Sequence, residues 1–170
     1  TYALTSAGTA GCSVTSGGVI SYANAGTCTI TATKAADTNY TSVSSTAQTF
    51  TITQASQSAL TTTAQTVTYP AAFSNAATTG GSGTGAVTYA LTSAGTAGCS
   101  VTSGGVISYA NAGTCTITAT KAADTSYNAT SSSAATFTIS KGDQSLLSVT
   151  NATGTFPTGF TLGSSGGSGS

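Results

Sequence analysis

Apolar and polar side chains alternate with a period of two along most of the chain, and the pattern is cleanest over Thr114 to Thr120. There Cys115, Ile117 and Ala119 face one way and Thr114, Thr116, Thr118 and Thr120 the other, the mark of a strand with one wet face. Ala86 to Thr92 repeats the theme with Val87, Tyr89 and Leu91 inward. Ala135, Phe137 and Ile139 mark the inward face of a last strand whose outward residues are Thr136, Thr138 and Ser140. The spacing also predicts an edge strand over Ser58 to Pro70, interrupted at the proline, and strands at Phe73 to Thr79, around Cys99 and Val101, and at Val106 to Tyr109. Gly80 to Gly85, Ser93 to Thr96, Ser103 to Gly105 and Asn111 to Gly113 are turns, and Lys121 to Ser133 is a polar loop. No helical period occurs. Short strands with frequent turn signals predict an all-β sandwich.

Thr88 to Thr125 is a letter-for-letter copy of Thr1 to Thr38, 87 residues earlier. A fixed long period is the signature of a tandem array, and this one has the length of a small sandwich domain. The period divides the chain into the C-terminal part of one domain over 1–53, a complete domain over 54–140 and the N-terminal part of a further domain over 141–170. Gln144-Ser145 echoes Gln57-Ser58, and Phe156-Pro157 echoes Tyr69-Pro70. The two partial units together lack only the counterpart of Thr84 to Val87, so the tail of one chain is expected to suit the head of the next. Thr1 in place of an initiator Met reads as the start of a processed product or of a window on a longer chain.

Charge changes the picture most. Only 4% of the residues are ionised, against about a quarter in an ordinary domain. They are Lys34, Lys121, Lys141, Asp37, Asp124 and Asp143, at net charge zero. Surfaces so bare of charge do not repel one another, and self-association or a glycan coat is expected. The four cysteines are two copies of one pair, which predicts one disulfide in each repeat, Cys12 with Cys28 and Cys99 with Cys115, and an oxidising, extracellular setting. Two buried thiols per repeat are the alternative. No run has the length of a membrane span, and the first residues lack the features of a signal peptide.

The runs GGSGTGAVTYALTSAGTAGC, NAGTCTITATKAADTNY and TFTIT resemble the bacterial immunoglobulin-like repeats of large secreted and surface-anchored proteins. The likeness covers essentially the whole chain and is most specific over Gly113 to Asp124 and its copy, Gly26 to Asp37. It implies tandem immunoglobulin-like β-sandwich domains used as a stalk, spacer or fibre element, sometimes as an adhesive module. It implies no catalytic residues.

Candidate chemistry is sparse. Each repeat core has one Lys and one Asp, as in Lys121-Ala122-Ala123-Asp124, too few for paired acid and base work or for an isopeptide bond with its proton-shuttling carboxylate. The inventory lacks His, and its carboxylates and cysteines lack the grouping of a calcium or zinc site; no cofactor is implied. Three Lys without Arg do not neutralise a phosphate backbone, which excludes nucleic acid as a partner. Gly80 to Gly85 lacks the Lys and the helix of a phosphate loop. The outward threonine rows have the spacing of flat ice-binding faces, but strand twist spoils the lattice match. Asn39, Asn128 and Asn151 stand in N-glycosylation triplets, which arise readily by chance in a chain rich in Ser and Thr. The expectation is a non-enzymatic structural repeat of an extracellular filament or bacterial cell-surface stalk, either covalently continuous or joined by strand complementation. The alternative is an adhesive module whose loops around Gly95, Gly104 and Asp124 recognise carbohydrate or a host protein.

Overall fold

The computed structural model describes residues 1–150 and 152–168, and these are all-β, without a helix. The first unit holds β1 (Tyr2–Ser6), β2 (Ser13–Val14), β3 (Ile20–Ser21), β4 (Gly26–Lys34), β5 (Val43–Ser44) and β6 (Gln48–Ile52). Its long strand β4 pairs antiparallel with β1, β6 and, at its far end, β5. Strands β2 and β3 form a separate ribbon.

The second unit opens with three strands that have no counterpart in the first: β7 (Leu60–Thr62), β8 (Thr66–Thr68) and β9 (Thr78–Gly80). It continues through β10 (Val87–Ser93), β11 (Ser100–Val101), β12 (Ile107–Ser108), β13 (Gly113–Lys121), β14 (Thr130–Ser131) and β15 (Ala135–Ser140). One sheet runs β10-β13-β15-β8, with β8 parallel to β15 and the other pairs antiparallel. Opposite it lie the hairpin β7-β9 and the ribbon β11-β12. The last stretch contributes only β16 (Ser148–Val149) and β17 (Ser164–Ser165), a two-stranded hairpin.

Alternation places the core where the pattern predicts. Ile117, Phe137 and Ile139 are buried and pack with Cys99, Cys115, Ile107 and Ala76, since successive strand residues point to opposite faces. Phe73 stands edge-on to Phe137 at 5.5 Å and to Tyr109 at 5.7 Å between ring centres, the favoured geometry for aromatic pairs.

Four expectations are corrected. The strand foreseen over Ser58 to Pro70 is two strands in two sheets, because β7 bonds to β9 while β8 joins β15. Phe73 reaches the core from a loop, not a strand, since the chain turns at Tyr69-Pro70 and the Ala76 N–H is spent on Gly105 O at 2.8 Å. Leu91 is exposed although it pairs with the buried Ile117: β10 is an edge strand, and a bulge between Leu91 and Ser93 interrupts its pairing on β13 at that point. The polar loop 121–133 contains β14, which pairs with the end of β13.

That last pairing buries Ser132, whose hydroxyl meets the Thr62 hydroxyl at 2.7 Å and accepts the Ala119 N–H at 3.0 Å. A buried polar pair holds the hairpin face to the large sheet. Ser132→Ala strands both partners, and a loss of about 1–3 kcal/mol is expected. Urea unfolding of the purified chain measures it, and Thr62→Val combined with Ser132→Ala should recover part of the loss.

Candidate functional site

The two disulfides are the first candidate feature. Cys12 bonds to Cys28 and Cys99 to Cys115, each across 16 residues, with Cα separations of 6.0 and 6.1 Å. All four cysteines are buried. Cys99 is set opposite Cys115 by the loop Ala94 to Cys99, which lies flat on β13: Ala97 N–H donates to Thr114 O at 3.3 Å, and Cys99 N–H to Ala94 O at 3.1 Å. Gly95 makes that approach possible. Its φ is +55° and a Cβ there would strike the Thr114 carbonyl, so only glycine suits the position. Closing a loop of this length restricts the unfolded chain by about 3 kcal/mol. A fall of that size in unfolding free energy is expected for the Cys99→Ala, Cys115→Ala double variant, measured by guanidinium titration.

The second feature is Asp124, which staples the glycine-rich turn to the 121–133 loop. One carboxylate oxygen accepts the Thr84 N–H at 2.6 Å, and the other accepts from Ser126 N–H at 2.8 Å and Tyr127 N–H at 2.9 Å. Asp37, its copy, accepts from Asn39 and Tyr40 N–H at 2.8 and 2.9 Å and has no turn to staple. The Thr84 amide, then those of Ser126 and Tyr127, hold the Asp124 carboxyl below the ordinary aspartate range, with partial desolvation opposing them. A folded-state value below the unfolded one means the stabilisation is complete above the unfolded pKa, about 3.9, and fades as pH falls through the folded value. Acid titration of stability should therefore be shallower below pH ~4 in Asp124→Asn than in the parent chain, read by circular dichroism.

The remaining candidates stay apart. Asn39 and Asn128 are both exposed, and the Asn128 side-chain Nδ2 donates to Gln54 O at 3.4 Å and to Ala55 O at 3.5 Å. Asn151 lies outside the described residues. Among those residues no three of His, Cys, Asp or Glu cluster, and no helix is long and apolar enough to cross a membrane. Gly104 and Gly95 sit in separate loops. A cleft of about 450 Å³ between Tyr69, Pro70, Asn111 and Lys141 has a smaller counterpart at Tyr22, Asn24 and Tyr127. Both are wide open; the larger is also lined by Asp143, Gln144 and Ser168.

Alternation could not reveal the third feature, an uncovered face. Tyr2, Tyr22 and Phe50 of the first unit are exposed, and so are Leu147, Val149, Phe160 and Leu162 of the last stretch. No protein-family model matches the chain, and no curated protein does.

Proposed function

We propose that the chain is a non-enzymatic structural segment of an extracellular filament or cell-surface stalk, made of immunoglobulin-like sandwiches that follow one another at a period of 87 residues. The observation that carries this reading is the reuse of one block. Residues 1–38 and 88–125 are identical, and each carries its long strand, its ribbon, its bulge and its disulfide in the same register. Repetition of one braced block lengthens a molecule and adds no chemistry.

Three further points support it. The sheet β10-β13-β15 and the hairpin β7-β9, with the opening strand divided between them, fit the immunoglobulin-like sandwich proposed here. The disulfides suit an oxidising space outside the cell. The surface is dominated by hydroxyls and nearly free of ions, so neighbouring copies lie side by side without repulsion or salt dependence.

An adhesive role would need anchor side chains in the loops, and two of the three types that dominate binding hot spots, Trp and Arg, are absent from the sequence, leaving Tyr alone. A spacer should show no saturable binding of residues 54–140 to glycan arrays or host-cell surfaces, and electron micrographs of native material should show a beaded fibre or stalk. Saturable binding by that unit would replace the spacer reading with the adhesive one.

A further inference from the structure

The chain contains its own control experiment. The blocks 1–38 and 88–125 have the same sequence, yet Ile20 and Ala32 are only half-buried while Ile107 and Ala119 are buried. Phe50 is 43% exposed where Phe137 is 0%. The difference is the cover: residues 57–83 supply β7, β8 and β9 to the second unit, and residues 1–53 contain no counterpart of them. The last stretch is that piece with nothing beneath it. Its hairpin pairs Ser148 with Ser165 and Val149 with Ser164, as β7 pairs Thr61 with Thr79 and Thr62 with Thr78. Ser168 Oγ accepts the Ser145 N–H at 3.0 Å, as Ser82 Oγ accepts that of Ser58 at 3.1 Å. Leu147 is 65% exposed where its counterpart Leu60 is 5%, and Val149 is 62% exposed where Thr62 is 6%.

We infer that residues 141–168 of one copy of this chain seat on residues 1–53 of a second copy, in the register in which 57–83 seat on 88–140. The inference deepens the structural-repeat reading above and rests on it. The two covers carry matched apolar loads. Leu147 stands for Leu60 and Phe160 for Phe73. Counting back from the shared Gly-Gly-Ser, Leu162 stands for Ala76, and Gly154 replaces Val67, so the side chain lost at one position returns at the other. Volume-conserving exchanges of this kind are what a packed core tolerates.

The polar ledger also agrees. Thr62, which gives the second unit its buried hydroxyl pair, becomes the isosteric Val149. On the receiving side Ser45, counterpart of Ser132, already donates its hydroxyl to Thr46 O at 2.9 Å while accepting the Ala32 N–H at 3.0 Å. Ser45 thus needs no hydroxyl from the cover, and an apolar Val149 suits it. Strand β6 offers its outer edge to Thr153–Thr155 as β15 offers its edge to β8, with Thr51 paired to Thr153 as Thr138 is to Thr66, a strand addition of the kind that joins separate chains. The Tyr22 hydroxyl reaches for Thr158 O as Tyr109 does for Ala71 O at 2.6 Å. Charge enters the meeting surfaces at Lys34, whose copy Lys121 lays its aliphatic stem against Gly81, the template for Gly167; the apolar positions matched above are free of it.

The test uses the full chain. Light scattering after size exclusion over a concentration series should show growth from monomer to head-to-tail oligomers. Leu147→Asp, at a position exposed in the free chain, should weaken that growth about tenfold or more, because a carboxylate would be buried without a partner. Register is read by mixing a Ser45→Cys chain with a Val149→Cys chain under mild oxidation. Their template, Thr62 and Ser132, brings the two hydroxyls to 2.7 Å, so a disulfide-linked dimer is expected. Ser44→Cys, at the last residue of β5, whose hydroxyl turns instead to Thr33 Oγ1 at 2.8 Å, should give none. Monomer at every concentration, oligomers indifferent to Leu147→Asp, or linkage at Ser44 and not Ser45 would each overturn the inference. In a chain carrying both Ser45→Cys and Val149→Cys, a link formed within the monomer would overturn it too. All of these leave the spacer reading to its own binding and imaging results.

Discussion

The constraint on which the molecule depends is that a β-sheet with one apolar face is half a structure. Strand β13 carries Cys115, Ile117 and Ala119 on one side, and that side leaves water only when a second layer lies over it. Burial of such side chains is the main favourable term in folding, at about 25 cal/mol for each Å² removed from water. The hairpin β7-β9 and the loop bearing Phe73 and Ala76 provide the layer, and the hydroxyl pair of Thr62 and Ser132 sets its position. The same strand in its other copy, β4, keeps Cys28 and Ile30 buried but leaves Tyr2 and Phe50 in contact with solvent. Identical side chains in identical pairings thus reach different burial according to what is laid over them.

The disulfide complements this layer. It ties the loop before β11 to Cys115, near the start of β13, the strand with which β10, β14 and β15 all pair, and lies in the same buried cluster as Ala76 and Phe73 of the cover. The buried cluster of the first unit is reduced to Ala10, Cys12 and Cys28, with Ile20 and Ile52 beside it. What survives without a cover is the region around the cross-link. The bond therefore keeps a half-covered unit in the conformation that the complete unit has.

Much of the architecture was legible in the sequence because alternation is a local property. The faces of β13 and β15 follow from residues a few positions apart, and the pairing of the cysteines from their even count within one repeat. The divided opening strand was not legible, since Leu60 and Val67 belong to one apolar run and only distant partners, β9 and β15, decide that they lie in different sheets. Ser132 was hidden for the opposite reason. It sits in a run of three serines that reads as loop, and its burial comes from Thr62, 70 positions away. Asp124 read only as the single Asp of its repeat core, too little for acid–base work, whereas its carboxylate is engaged by the Thr84 amide of a turn 40 residues earlier. The matched covers became visible only when exposure was compared between copies, because composition says nothing of which surface lacks a partner.

The three lysines are distributed so that paired strands shelter two of them. Lys121 closes β13 between Val87 and Thr130, and Lys34 closes β4 opposite Val43. Proteases draw their substrate into the cleft as an extended, unpaired segment, which those two sites do not supply without breaking a ladder. Lys141 lies in irregular backbone just after β15, and with no Arg in the chain it is the one position where trypsin-like digestion meets an open site. A host or environment rich in such enzymes would find long stretches of this material without a place to cut, and where it did cut it would separate one unit from the next.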